Sequence, residues 1–123
     1  MCPVRILVAD DSKAMRMIVI RTLRQSGVHI DEIQEAVDGA EALAAVGSFA
    51  PDLVLSDWNM PNMNGIEFLV ALRGSGDNTT FGFITSESNP AMREQALAAG
   101  ASFLLTKPFD GERLAEVIGQ LVP

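Results

Sequence analysis

The chain has 123 residues, of which 48% are hydrophobic and 20% charged, and its nine Lys/Arg against 16 Asp/Glu give a formal net charge of −7. This length and composition suit one globular domain with a real core and exclude a disordered chain. The acidic balance argues against direct nucleic-acid binding, no apolar run approaches the ~20 residues of a membrane span, and a lone Cys2 permits no internal disulfide.

Taken in order, the elements alternate between strand and helix. Val4 to Ala9 is an apolar run apart from Arg5, as in a strand covered on both faces. Ser12 is placed to cap a helix that sets Met15, Ile18, Val19, Thr22 and Leu23 on one stripe and closes at Gly27. A weaker strand lies within Ile30 to Ala36; Asp38-Gly39 marks a turn, and a helix through Ala40, Leu43, Ala44 and Val46 follows. Pro51-Asp52 precedes the strand Leu53 to Ser56. Asn64 caps a third helix with apolar Ile66, Leu69, Val70 and Leu72, and Gly74 to Asn78 is a loop. Phe81 to Ile84 is the next strand. Asn89-Pro90 reads as a cap with proline at the first helical position, and that helix ends at Gly100. The last strand runs from Ser102 to about Thr106, and Asp110 caps a final helix whose Leu114, Val117, Ile118 and Leu121 face the core. Such alternation predicts βαβ units around a parallel sheet with helices on both faces.

In open sheets of this type, ligands bind beyond the carboxyl ends of the strands. The reactive residues fall there: Asp10 and Asp11 after the first strand, Asp57 after the third, Thr85 and Ser86 after the fourth, Thr106 and Lys107 after the fifth. Carboxylates ~4 Å apart repel by about 4 kcal/mol at an effective dielectric near 20. Three of them together call for a shared proton or a cation, and oxygen ligands favour Mg²⁺. Asp10 and Asp11 are the expected metal acids, with Asp57 giving one oxygen; taken alone, the Asp10-Asp11 pair reads equally well as helix N-terminal acids. A carboxylate such as Asp57 can also attack phosphorus to give an acyl phosphate. Lys107 would neutralise the far side of the transferred group, and the Thr85 hydroxyl and backbone N–H groups after Asp57 would donate to its oxygens.

These motifs, Ala9-Asp10-Asp11-Ser12, Asp57 with Met60-Pro61 and Gly65, Thr85-Ser86 and Lys107-Pro108-Phe109, resemble those of receiver domains of bacterial two-component signalling. The run Asp57-Trp58-Asn59-Met60-Pro61-Asn62-Met63-Asn64-Gly65 is most similar to the stand-alone chemotaxis response regulators of the CheY type. The resemblance covers essentially residues 1–123, as a single receiver domain with no output domain and an expected monomer. It implies a doubly wound, flavodoxin-like five-stranded parallel sheet of order 2-1-3-4-5 with five helices. It implies Asp57 as phosphoacceptor, Asp10 and Asp11 as acidic Mg²⁺-site residues, the Asn59 backbone carbonyl as a further metal ligand, Thr85 and Lys107 as phosphoryl contacts, and a cis Lys107-Pro108 peptide. The phosphodonor would be a histidine kinase. A downstream protein would read the helix 4, strand 5 and helix 5 face. Asn59 and Glu87 resemble the fast-resetting type. One departure is Leu104, where many receivers carry Tyr or Phe.

The expected setting is cytoplasmic, since Met1-Cys2-Pro3-Val4-Arg5 carries no long apolar stretch. His29, the lone histidine, reads as a turn residue, Trp58 as a partly exposed neighbour of Asp57, and Met15, Met17, Met60, Met63 and Met92 mostly as core or rim packing. Alternative functions are a phosphorelay shuttle, a receiver-like scaffold that uses no phosphate, and a Mg²⁺-dependent aspartyl phosphatase. The last normally carries Asp-x-Asp after the first strand, where this chain has Asp10-Asp11-Ser12.

Overall fold

The fold is that of a computed structural model describing residues 3–86, 89–107 and 109–121. Its elements are β1 (Val4–Ala9), α1 (Lys13–Gln25), β2 (Ile30–Ala36), α2 (Gly39–Phe49), β3 (Leu53–Ser56), α3 (Gly65–Gly74), β4 (Thr80–Thr85), α4 (Pro90–Ala99), β5 (Phe103–Thr106) and α5 (Gly111–Leu121). The strands form one sheet in the order β2-β1-β3-β4-β5, every pair parallel. This is the doubly wound architecture that the alternation predicts.

Two apolar layers sandwich the sheet. On one face, Ala42, Ala45 and Val46 of α2, Phe68, Leu69 and Leu72 of α3 and Ala96 of α4 pack against Leu7, Val54, Phe81 and Phe83. On the other, Val19 and Leu23 of α1 and Leu114, Val117 and Ile118 of α5 cover Ile6, Val8, Leu53, Leu55 and Leu105. Strands β1, β3 and β4 are apolar at successive positions because both of their faces meet a layer. At the outer margin β2 is only partly covered, leaving Asp31, Glu32 and Glu35 exposed. Arg5 reaches across to Asp31 at 3.5 Å and Glu32 at 3.8 Å.

The expected caps form. Side-chain oxygens of Ser12, Asn64 and Asn89 accept the N–H of the residue three further on, and Glu67 returns a bond to the Asn64 N–H to complete a capping box. Asp110 accepts the Arg113 N–H at 2.7 Å. Gly27 and Gly100 leave α1 and α4 with positive φ.

Some helix faces differ from expectation. Ile18 is 48% and Val70 57% exposed, and Met17 of the expected packing methionines is also exposed. In α3 the sheet is met by Phe68, Leu69 and Leu72, so Val70, one step round the helix from Leu69, turns to solvent. In α1 only Val19 and Leu23 are fully covered. Ala40 and Ala44 likewise lie on the solvent side of α2, whose buried residues are Gly39, Ala42, Ala45, Val46 and Phe49. The expected packing of Leu121, the cis geometry at Pro108 and the position of Glu87 lie outside the described residues.

Candidate functional site

Sheet register brings the acids together. Ala9 of β1 lies opposite Ser56 of β3, so Asp10 and Asp57 are the first residues beyond two neighbouring strands. Backbone bonds continue just past the ladder: the Asp57 N–H donates to the Ala9 carbonyl at 2.8 Å, and the Asp10 N–H to the Ala36 carbonyl at 3.0 Å. At the other side Thr85 pairs with Thr106, and the Lys107 N–H donates to the Thr85 carbonyl at 2.8 Å. Asp10, Asp57, Thr85 and Lys107 therefore stand on residues fixed by strand hydrogen bonding.

Carboxylate oxygens of Asp10, Asp11 and Asp57 lie within 4.8 Å of one another. Asp10 is buried, Asp57 half-buried and Asp11 exposed, so the trio opens to solvent on one side. Lys107 Nζ stands 3.3 Å from Asp10 Oδ2 and 3.8 Å from Asp57 Oδ2. The ammonium thus bridges carboxylates that stand beyond two different strands. Thr85 is fully buried at the end of β4. Asn59 is exposed and lines, with Asp11, Met60, Pro61 and Asn64, a shallow cleft of about 390 Å³.

Several neighbours hold the acids in place. Asp10 Oδ1 accepts the Ser12 N–H at 2.9 Å. Its carbonyl accepts from Arg16 at 2.6 Å, and Arg16 is itself paired with Glu35 at 2.8 Å. Asp57 Oδ1 accepts the Trp58 N–H at 2.7 Å. The Gly65 N–H donates to the Trp58 carbonyl at 2.8 Å, and a Cβ on Gly65 would lie 2.2 Å from the Asp57 carbonyl oxygen, so only glycine lets the loop close here. The Trp58 ring sits 4.8 Å from that of Phe83, between site and core.

Burial and the neighbouring Asp10 charge push the Asp57 carboxyl above its ordinary value; Lys107 and the N–H groups of Trp58 and Asn59 pull the other way without cancelling them. A carboxylate so placed gains from a cation. The donor set fits Mg²⁺: it is all oxygen, and an octahedral ion at about 2.1 Å needs its ligand oxygens within about 4 Å, a small contraction from the distances present.

Arg16, Asp38 and Asn62 support this region and were not singled out as site residues from the sequence. Arg16 lies one helical turn past Ser12, a spacing that brings it back over Asp10, which is the signal that could have found it.

Fold and site together define the class: a CheY-like, flavodoxin-type α/β domain with an acidic cleft at the carboxyl edge of its sheet. A family model for the response regulator receiver domain matches residues 6–119, and the chain belongs to that family. It is 39% identical over 112 residues to the response regulator MprA of Mycolicibacterium vanbaalenii, a match covering 91% of this chain and 47% of that protein. The chain thus spans about half the length of the curated relatives it matches. Among solved structures, the chemotaxis protein CheY4 of Vibrio cholerae is 34% identical with a TM-score of 0.86, covering 98% of this chain and all of that one. The receiver domain of the putative response regulator NarL of Mycobacterium tuberculosis is 33% identical, TM-score 0.87, covering 96% and 94%. Among the described residues, no helix is long and apolar enough to cross a membrane.

Proposed function

We propose that residues 1–123 form one receiver unit that accepts a phosphoryl group on Asp57 from a histidine kinase and uses it to change binding to a protein partner in the cytoplasm. The observation that carries this reading is the Asp10, Asp11 and Asp57 carboxylate cluster, within 4.8 Å, with Lys107 seated on it.

An Asp57 carboxylate oxygen attacks phosphorus, the bond from phosphorus to the donor nitrogen breaks, and the donor imidazole leaves with the electron pair. Water later attacks the acyl phosphate, returning the Asp57 carboxylate and inorganic phosphate. Mg²⁺, held by Asp10, Asp11, Asp57 and the Asn59 carbonyl, would supply charge neutralisation for the transferred oxygens. Lys107 moves from the acids to a phosphoryl oxygen once phosphorylation removes one carboxylate charge. Thr85, buried at the end of β4, would donate its hydroxyl to another of those oxygens.

For output, a cleft of about 570 Å³ on the α4, β5 and α5 face, lined by Arg93, Leu104, Leu105, Thr106, Phe109 and Arg113 among others, supports a protein partner there. Similarity to CheY4 of Vibrio cholerae supports a chemotaxis-type role for this surface; the roughly double length of the MprA relatives supports the second reading, a receiver that controls a larger regulator.

The test is incubation with acetyl phosphate and Mg²⁺ followed by intact-mass measurement. One added phosphoryl group in the wild type, absent in Asp57→Asn, is expected. Labelling that persists in Asp57→Asn, or never occurs, would overturn the proposal.

A further inference from the structure

The turn between β2 and α2 touches the loop that follows β3, although nothing in phosphoryl acceptance calls on it. Asn62 Nδ2 donates to Asp38 Oδ2 at 2.9 Å. The other Asp38 oxygen accepts the Glu41 N–H at 2.8 Å and caps α2. Beside them the Gly39 N–H donates to the Met63 carbonyl at 2.9 Å. The approach is close: a Cβ on Gly39 would lie 2.6 Å from that carbonyl oxygen and 2.8 Å from Met63 Cγ. Asn62 adopts a left-handed backbone with φ of 66°, a conformation that Asn and Gly tolerate best.

These contacts pin the interior of a loop whose two ends are joined by the bond from the Gly65 N–H to the Trp58 carbonyl. Asn59 lies between the two anchors. A loop tied only at its ends would lose more conformational freedom on closing around a cation, and that loss would weaken binding.

We propose that Asp38 and Asn62 act together as a clamp that holds the Asn59 backbone in position for the cation, making both of them positioning residues for chemistry at Asp57. This rests on the Mg²⁺ reading above.

Trp58, the only tryptophan in the chain, adjoins Asp57 and reports on the site by its emission. The experiment is Mg²⁺ titration of tryptophan fluorescence in wild type, Asn62→Gly, Asp38→Ala and the double variant, with melting temperatures taken alongside. Asn62→Gly keeps the left-handed backbone accessible and deletes only the carboxamide. Mutating a direct outer-shell partner of a metal ligand costs 10–100-fold in affinity; this clamp is one step further out, so Asn62→Gly should weaken Mg²⁺ by roughly three- to tenfold. Its melting temperature should stay close to wild type.

In the Asp38→Ala background, Asn62→Gly should weaken Mg²⁺ no further, because the partner of the carboxamide is already gone. A purely structural contact would move melting temperature and leave Mg²⁺ affinity unchanged, which would overturn the clamp. Additive losses in the double variant would also overturn it, since the two residues would then act separately. If wild type itself shows no response to Mg²⁺ by fluorescence or calorimetry, the cation reading falls and the clamp falls with it. A wild type that titrates beside an Asn62→Gly that titrates identically sinks the clamp alone.

Discussion

One ammonium ties three strands together: Lys107, beyond β5, lies 3.3 Å from Asp10 beyond β1 and 3.8 Å from Asp57 beyond β3. With side chains only 13%, 5% and 15% exposed, these groups attract one another with limited screening by water. Lys107 and a divalent cation therefore compete for the same oxygens. Lys107→Met should lower the stability of the metal-free protein by about 1–3 kcal/mol, less than the 3–5 of a fully buried pair because the pocket opens to solvent. It should also bind Mg²⁺ more tightly than wild type. Urea denaturation with and without Mg²⁺ checks both, and an unchanged Mg²⁺ affinity would show that the ammonium does not contend for the acids.

Asp57 carries the opposite kind of signature. Burial and Asp10 raise its carboxyl above the ordinary 3.8. A raised folded-state value means the folded protein holds that proton more tightly, so the stability it contributes is complete below about pH 4 and is lost as pH rises through the raised value. Asp57→Asn should accordingly melt higher than metal-free wild type at pH 7, with the difference closing as pH falls below 4. Added Mg²⁺ should reverse the order at neutral pH. Melting curves across pH with chelator present measure the first effect, and equal melting temperatures at pH 7 would contradict it.

Asp38 titrates with the reverse sign. The Glu41 N–H and the Asn62 carboxamide hold its carboxyl below the ordinary 3.8. Its stabilising contribution is therefore present above about pH 4 and disappears as pH falls through the lowered value. Asp38→Ala should be less stable than wild type at pH 7, and the gap should narrow towards pH 2 by urea denaturation. A gap that stays constant with pH would mean the charge of Asp38 is irrelevant to its capping.

Gly65 permits no side chain, with the Asp57 carbonyl oxygen 2.2 Å and the Phe83 ring 2.8 Å from where a Cβ would stand. Overpacking usually costs 1–3 kcal/mol, and here one obstacle is backbone, so Gly65→Ala should cost about 3 kcal/mol or more. Acetyl phosphate labelling should fall with it, because the displaced segment begins at Asp57. Gly47→Ala, where no atom lies within 4 Å of the added carbon, is the control and should be neutral or slightly stabilising. A Gly65→Ala variant that melts and labels like wild type would remove the steric account of this loop.

Much of the fold could be read from residue order because its signals are local. Apolar runs marked β1, β3 and β4, and Ser12, Asn64, Asn89 and Asp110 announced helix starts within three residues of the N–H groups they accept. Helix faces were less legible where apolar residues outnumber buried places: Val70 sits beside Leu69, and only packing against the sheet decides between them. The nearness of Asp10, Asp11 and Asp57 followed from topology alone. The seat of Lys107 on the acids did not, because it depends on how a flexible side chain settles among them. Asp38 and Asn62 were hidden for another reason. They are 24 residues apart, and their contact depends on a left-handed turn at Asn62 that no periodicity reveals. Leu104, 3% exposed in the same core layer as Phe81, Phe83, Ala96 and Ala101, is buried here and also borders the cleft on the α4, β5 and α5 face.

The charged outer strand has a bearing on behaviour at high concentration. Unpaired backbone groups along β2 could template fibrils by recruiting a second sheet. With Asp31, Glu32 and Glu35 along that border, each paired with Arg5 or Arg16, two copies approaching side by side would have to desolvate charged side chains, which favours dispersed molecules over stacked ones.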